Sequence, residues 1–220
     1  MSDVIPNIIH HVFIGDEICD EYQECCETVE KHFSDWEIKV WINDDNREFI
    51  QEHFNWFLDT YDGFDKDIYR IDAVRYFILY KFGGMYMDMD ITVHRKFDHL
   101  LCEDKCYLFP FKHRDYFKHR GWDQIISNCM LATPPEHPFI DKAIVHLASG
   151  MINRTVRSDD ELIDVFAKTG PIFLTKLYHF LSKANPRLLE RVEILDIIDD
   201  TKEKDSYIVH ESLCKWIDLQ

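Results

Sequence analysis

Ile71-Asp72-Ala73-Val74-Arg75-Tyr76-Phe77-Ile78-Leu79-Tyr80-Lys81-Phe82-Gly83-Gly84-Met85-Tyr86-Met87-Asp88-Met89-Asp90 is the stretch whose reading decides the fold of this 220-residue chain. Ile71, Val74, Phe77, Ile78 and Phe82 recur at a helical period, which predicts a helix over residues 66–82. Gly83 and Gly84 stop it, because glycine adopts backbone angles that other residues resist and suits a sharp turn from helix to strand. Residues 83–90 then read as a strand whose end carries two carboxylates one residue apart. Side chains of an extended chain alternate faces, so Asp88 and Asp90 are expected on one side, with Met87 and Met89 packed on the other. Two hard oxygen donors on one face suit Mn²⁺ or Mg²⁺. A surface turn bearing two solvated acids is the competing reading.

Asp72 and Arg75 lie three apart and share a helix face. An acid and a guanidinium beside a metal–diphosphate site would bind sugar hydroxyls and phosphate or ribose oxygens. The alternative is an ordinary surface ion pair.

Outward from this stretch, strands alternate with helices. Strands are expected at residues 7–13, 37–42, 107–111, 125–132, 191–195 and 206–209, and helices at 17–33, 138–149, 160–168 and 171–183. Asn43-Asp44-Asp45 reads as a turn and the start of a further helix. The order implies an α/β fold, with a mostly parallel central sheet flanked by helices, as one domain over residues 1–220. Ligands of such sheets bind beyond the carboxyl ends of strands, where Asp88 and Asp90 fall. Trp36 and Trp41 read as core aromatics.

Charge narrows the partners. Forty-one acidic residues against 25 basic ones give a net charge of −16, which repels polyphosphate backbones and anionic membranes. No nucleic-acid partner is expected. The one basic patch, residues 112–120, reads as a solvated loop, with a mobile substrate-contacting loop as the alternative. Seven cysteines without zinc-site spacing read as reduced thiols of a cytosolic protein. Neither a signal peptide nor a transmembrane segment is evident, so a soluble, cytoplasmic protein is expected.

Two blocks carry a resemblance. Ile5-Pro6-Asn7-Ile8-Ile9-His10-His11-Val12-Phe13-Ile14-Gly15 resembles the opening of glycosyltransferase family 32, the DXD sugar transferases of the capsular-polysaccharide and initiating-mannosyl type. Residues 71–90 resemble that family's central helix-Gly-Gly-strand-DXD block. The resemblance implies a GT-A fold, a divalent metal and a nucleotide-diphosphate sugar donor, UDP-linked in preference to GDP-linked. It implies that Asp90 ligates the metal and that Asp88 is shared between metal and donor. Asp72 and Arg75 would hold the donor's sugar and phosphate side, and His11, Val12 and Phe13 would line the nucleobase pocket.

Three later segments are similar to the family with less force. Ser127-Asn128-Cys129 makes Asn128 a candidate near the donor sugar, with a strand-edge turn residue as the alternative. Thr169-Gly170-Pro171 is similar to a helix start of the family. Val209-His210-Glu211-Ser212 offers His210 as a third metal ligand. Three residues separate Ser212 from Trp216, whereas the family has Ser and Trp adjacent.

The implied activity is retaining transfer of a sugar to a glycan or another hydroxyl acceptor, with Asp72, Arg75 and Asn128 as the catalytic set. A metal-dependent nucleotide-sugar hydrolase or nucleotidyltransferase is one alternative, although the basic, Gly-rich phosphate loop of nucleotidyltransferases is represented near the first strand by Gly15 alone. A non-catalytic sugar-binding protein is the other.

Overall fold

The computed structural model describes residues 4–15, 17–101, 104–111, 125–150, 161–198 and 206–211. Its strands are β1 (Ile8–Phe13), β2 (Glu37–Ile42), β3 (Gly84–Met87), β4 (Ile91–Val93), β5 (Cys106–Pro110), β6 (Ile126–Thr133), β7 (Val192–Ile194) and β8 (Ile208–His210). The helices are α1 (Asp20–His32), α2 (Asn43–His53), α3 (Leu58–Asp62), α4 (Asp67–Phe82), α5 (Pro138–Ser149), α6 (Glu161–Lys168) and α7 (Pro171–Ala184). Six strands form the central sheet in the order β2-β1-β3-β6-β5-β7, and β4 pairs with β8 in a separate antiparallel ribbon. Only β6 opposes its neighbours, so the sheet is mostly parallel, as expected.

Period-two patterning assigns the two faces of that sheet. On β3, Tyr86 enters one core with Leu108 of β5, while Met85 and Met87 enter the other with Tyr107 and Phe109. Helices α4, α5 and α7 cover the Tyr86 face. Helix α1 and the β4–β8 ribbon cover the opposite one. Helix α4 is buried on nearly every side from Tyr69 to Leu79, which marks it as the central helix of its layer. Trp36 and Trp41 are both buried, in agreement with the sequence.

Differences from expectation are local. Helix α1 starts at Asp20 rather than residue 17, after an extended Cys19. Residues 54–62, unassigned from the sequence, form a 3₁₀ turn (Asn55–Phe57) and α3. Their aromatic residues, Phe54, Phe57 and Tyr61, serve a core contact whose spacing fits neither template. The strand expected at 206–209 joins β4 instead of the central sheet.

The α4–β3 junction fixes where the two aspartates emerge. Gly83 has φ +65° and Gly84 φ +87°, in the left-handed region that glycine tolerates. A Cβ on Gly84 would lie 2.6 Å from the Ile8 carbonyl oxygen, and one on Gly83 would lie 2.6 Å from the Pro135 nitrogen. His10 locks the turn. Its Nε2–H donates to the Gly83 carbonyl (3.0 Å), and its Nδ1 accepts from Trp41 Nε1 (3.2 Å). Burial pushes the His10 imidazole down to about 4, consistent with the neutral ring that this bonding requires.

Gly84→Ala is therefore expected to destabilise the protein by more than about 2 kcal/mol through backbone strain and overpacking. Chemical denaturation of the variant against the parent measures it, and a change below 0.5 kcal/mol would show that β1 can yield at this contact (roughly the size of a neutral surface substitution).

Candidate active site

The strand expected to run through Asp88 and Asp90 ends at Met87, before either aspartate. The Asp88 amide donates to the Cys129 carbonyl (2.7 Å), as the last link to β6, and Met89 and Asp90 form a turn before β4 begins. Asp88 and Asp90 thus converge through a tight turn and not through the alternation of an extended chain. The pairing of β4 with β8 sets Ile91 opposite His210, and the Glu211 amide donates to the Asp90 carbonyl (2.9 Å). One ligand atom each from Asp88, Asp90 and His210 then lie within 4.8 Å of one another. His210 Nε2 is 3.2 Å from Asp90 Oδ1.

This donor set fits a divalent cation of the Mn²⁺ or Mg²⁺ kind: two carboxylates and an imidazole on one small volume. The Asp88 carboxyl supplies a second observation. It is pushed up to about 6 by burial, opposed by the Arg75 guanidinium, and pushed further by the charge of Asp90. A bound dication would relieve the carboxylate repulsion.

Behind the aspartates lies a buried polar network. Arg75, 2% exposed, meets Asp72, 4% exposed, at 2.6 Å between Nη2 and Oδ1. This is no surface ion pair. Arg75 Nη1 donates to the Asn128 carbonyl (2.6 Å) and lies 3.3 Å from Asp88 Oδ1. The guanidinium is stacked over the Tyr86 ring at 4.4 Å. Asn128 Nδ2 donates to Asp72 Oδ1 (2.9 Å), and Thr169 Oγ1 donates to Asp72 Oδ2 (2.8 Å). Tyr86 OH donates to Asp88 Oδ1 (2.5 Å). Burial raises the Asp72 carboxyl, while Arg75 and the Thr169 and Asn128 hydrogen bonds oppose the rise.

Six of the sequence candidates therefore meet: Asp72, Arg75, Asn128, Asp88, Asp90 and His210. The β1 candidates divide. His11 is buried and donates Nδ1–H to the Met87 carbonyl (2.7 Å), beside the aspartate turn. Val12 packs into the α4-side core, and Phe13 is half-buried, edge-on to Tyr22. Residues 112–120, Ser212 and Trp216 lie outside the described residues.

Sequence reasoning did not identify Tyr86 or Thr169 as members of the network. Tyr86 stands two residues before Asp88, a spacing that could have suggested the contact. Thr169 is 97 residues from Asp72, and its Thr169-Gly170-Pro171 signal marked a helix start without pointing to Asp72.

An α/β sheet of this order, with paired aspartates beyond the end of β3, defines a GT-A-type glycosyltransferase fold. Residues 19–107 match the glycosyltransferase sugar-binding region containing the DXD motif. It is 33% identical over 180 residues to inositol phosphoceramide mannosyltransferase 3 of Schizosaccharomyces pombe, covering 80% of this chain and 46% of that protein. It is 30% identical to the mannosyl phosphorylinositol ceramide synthase SUR1 of Saccharomyces cerevisiae, over 80% of this chain and 42% of the relative. The chain thus spans about half the length of these curated relatives or less. Among solved structures, the UDP-bound glycosyltransferase domain of the YGT toxin shares the fold, with a TM-score of 0.60 at 10% identity over 88% of this chain and 80% of that one.

Two outcomes follow from the site's electrostatics. Arg75→Met leaves the buried Asp72 carboxylate without its cation and is expected to cost about 3–5 kcal/mol of stability, read by denaturant unfolding. The second concerns pH. The folded Asp88 value, about 6, exceeds its ordinary 3.8, so in metal-free protein its stability contribution is present below pH 4 and is lost as pH rises through 6. Mn²⁺ requires the carboxylate, so the Tm gain produced by Mn²⁺ is expected to be larger at pH 7 than at pH 5. An equal gain at both pH values would contradict the assignment of Asp88 as a ligand.

Proposed function

We propose that this chain is a metal-dependent, retaining glycosyltransferase that moves a hexose from a nucleotide-diphosphate sugar to a hydroxyl acceptor. The observation carrying the proposal is the convergence of Asp88, Asp90 and His210 in front of the buried Asp72–Arg75–Asn128 network, within a DXD-containing fold.

In this reading Asp88, Asp90 and His210 hold a divalent cation. When bound, the cation neutralises charge on the departing nucleoside diphosphate. Arg75 holds Asp88 in place by charge and by the shared contact with Tyr86. It adds a fixed positive charge behind the diphosphate side. Asp72, held by Arg75, Asn128 and Thr169, is a rigid acceptor for a donor-sugar hydroxyl. Asn128, 7% exposed, adds an amide on the same side. Preorganisation of this kind places dipoles before charge develops and costs no rearrangement during reaction. His11 and Phe13, at the end of β1, border the nucleobase side.

A UDP-linked donor is preferred because the YGT toxin glycosyltransferase domain, which shares the fold, is UDP-bound. Mannose is a candidate sugar because the curated relatives are named as mannosyltransferases. The acceptor is a glycan or another hydroxyl compound, and a cytosolic setting is part of the proposal. No described helix is long and apolar enough to cross a membrane.

Turnover of UDP-hexoses and GDP-mannose is expected with Mn²⁺ and is expected to vanish in EDTA. Asp90→Asn should lower the rate by about 10²–10³-fold while leaving the far-ultraviolet spectrum unchanged. If every nucleotide sugar fails to bind and the Asp90 variant behaves as the parent, the chain is not a transferase of this kind.

A further inference from the structure

A cavity of about 420 Å³ opens among α3, α5 and α6, lined by none of the six residues that converge at the aspartate turn. Its apolar lining includes Phe64, Leu147 and Ala167. The polar lining comes from Thr60, Ser149, Asp164 and Lys168. This volume falls in the range of small-molecule sites, and the combination of one aromatic face with dispersed donors and acceptors is the lining of an orienting site.

The charges select against ions. Lys168 is the only cation among the described residues of the wall, and it is already drawn to Asp65 (3.6 Å) and over the Tyr69 ring (4.0 Å). Asp164 stands in the same wall. The carboxyl end of α5, capped at Gly150, contributes the negative pole of a helix. A phosphate would meet repulsion from these groups, and a bare cation would meet Lys168. A neutral ring bearing many hydroxyls satisfies both: hydroxyls donate to Asp164 and accept from Lys168, Thr60 and Ser149, while its C–H face covers Phe64.

We propose that this cavity is a saccharide-binding subsite, distinct from the donor site, that holds a sugar unit of the acceptor. Its role as an acceptor subsite rests on the glycosyltransferase reading, whereas saccharide binding there does not. One hydrogen bond and one chain linkage connect it to the donor side. Asp164 Oδ2 accepts from Tyr69 OH (2.6 Å), one turn before Asp72 on α4. Lys168 immediately precedes Thr169, whose hydroxyl holds Asp72. An occupant drawing α6 onto α3 and α5 would therefore steady the residue that supports Asp72.

The test is ligand-observed NMR of methyl α-glucoside, α-galactoside and α-mannoside with the parent protein in EDTA, without nucleotide. At least one glycoside is expected to show saturation transfer. Thr60→Trp places an indole at the exposed mouth, and Lys168→Met removes the ammonium while keeping the stem. Each is expected to weaken binding about tenfold or more, the scale of a lost charged hydrogen bond or a blocked mouth. Asp90→Asn is expected to leave glycoside binding unchanged. Mn²⁺-dependent UDP binding, measured by calorimetry in the same variants, is expected to survive Thr60→Trp and Lys168→Met and to fall in Asp90→Asn. Absence of transfer to all three glycosides overturns the proposal. So does binding that persists in both cavity variants, or binding that is lost with Asp90→Asn. Glycoside binding at the cavity without any UDP binding would keep the subsite and remove the transferase reading.

Discussion

The guanidinium of Arg75 is the constraint on which the site depends. A charge this deeply buried is tolerated only when its partners are close and its hydrogen bonds are made. Here the partners come from four places in the chain: Asp72 on α4, the Asn128 carbonyl on β6, Asp88 beyond β3, and the Tyr86 ring on β3. Satisfying Arg75 therefore docks the central helix onto the sheet and sets the Asp88 carboxylate at the same time. Folding and site assembly share one set of contacts.

That coupling explains the division between the two faces of the sheet. Tyr86 faces α4, so its hydroxyl and ring can serve Asp88 and Arg75 together. Met85 and Met87 face the opposite core and only pack. The turn after Asp88 transfers the chain from the central sheet to the β4–β8 ribbon, which brings His210 beside Asp90. The third member of the triad is thus delivered by a three-residue strand outside the main sheet. The site combines a rigid half, built on α4 and the sheet, with a half held by a short ribbon.

The legible parts of the fold were those with local punctuation. The 3.6 period of α4 and its stop at Gly83-Gly84 lie within one continuous segment, as do the aspartates. Phe54, Phe57 and Tyr61 were not legible, because their spacing serves a core contact and not a single element. The burial of Asp72 and Arg75 was equally hidden: an i,i+3 pair reads alike on a solvated helix face and inside a core. Only the apolar residues around α4, covered on both sides by other segments, distinguish the two.

The sequence by itself determined the α/β class, the helix-Gly-Gly-strand junction and the identity of six residues that meet around the aspartate turn. The class, the junction and the aspartate pair rest on residue types and short-range periodicity, which backbone sterics convert directly into local structure, whereas Asn128 and His210 were candidates only through the family resemblance. Tertiary structure alone decided how they meet: a turn in place of an extended strand at Asp88 to Asp90, Thr169 on Asp72 across 97 residues, and β8 on β4. Those contacts follow from burying the Arg75 network and pairing a short strand, terms that depend on what packs around them and leave no trace in local spacing.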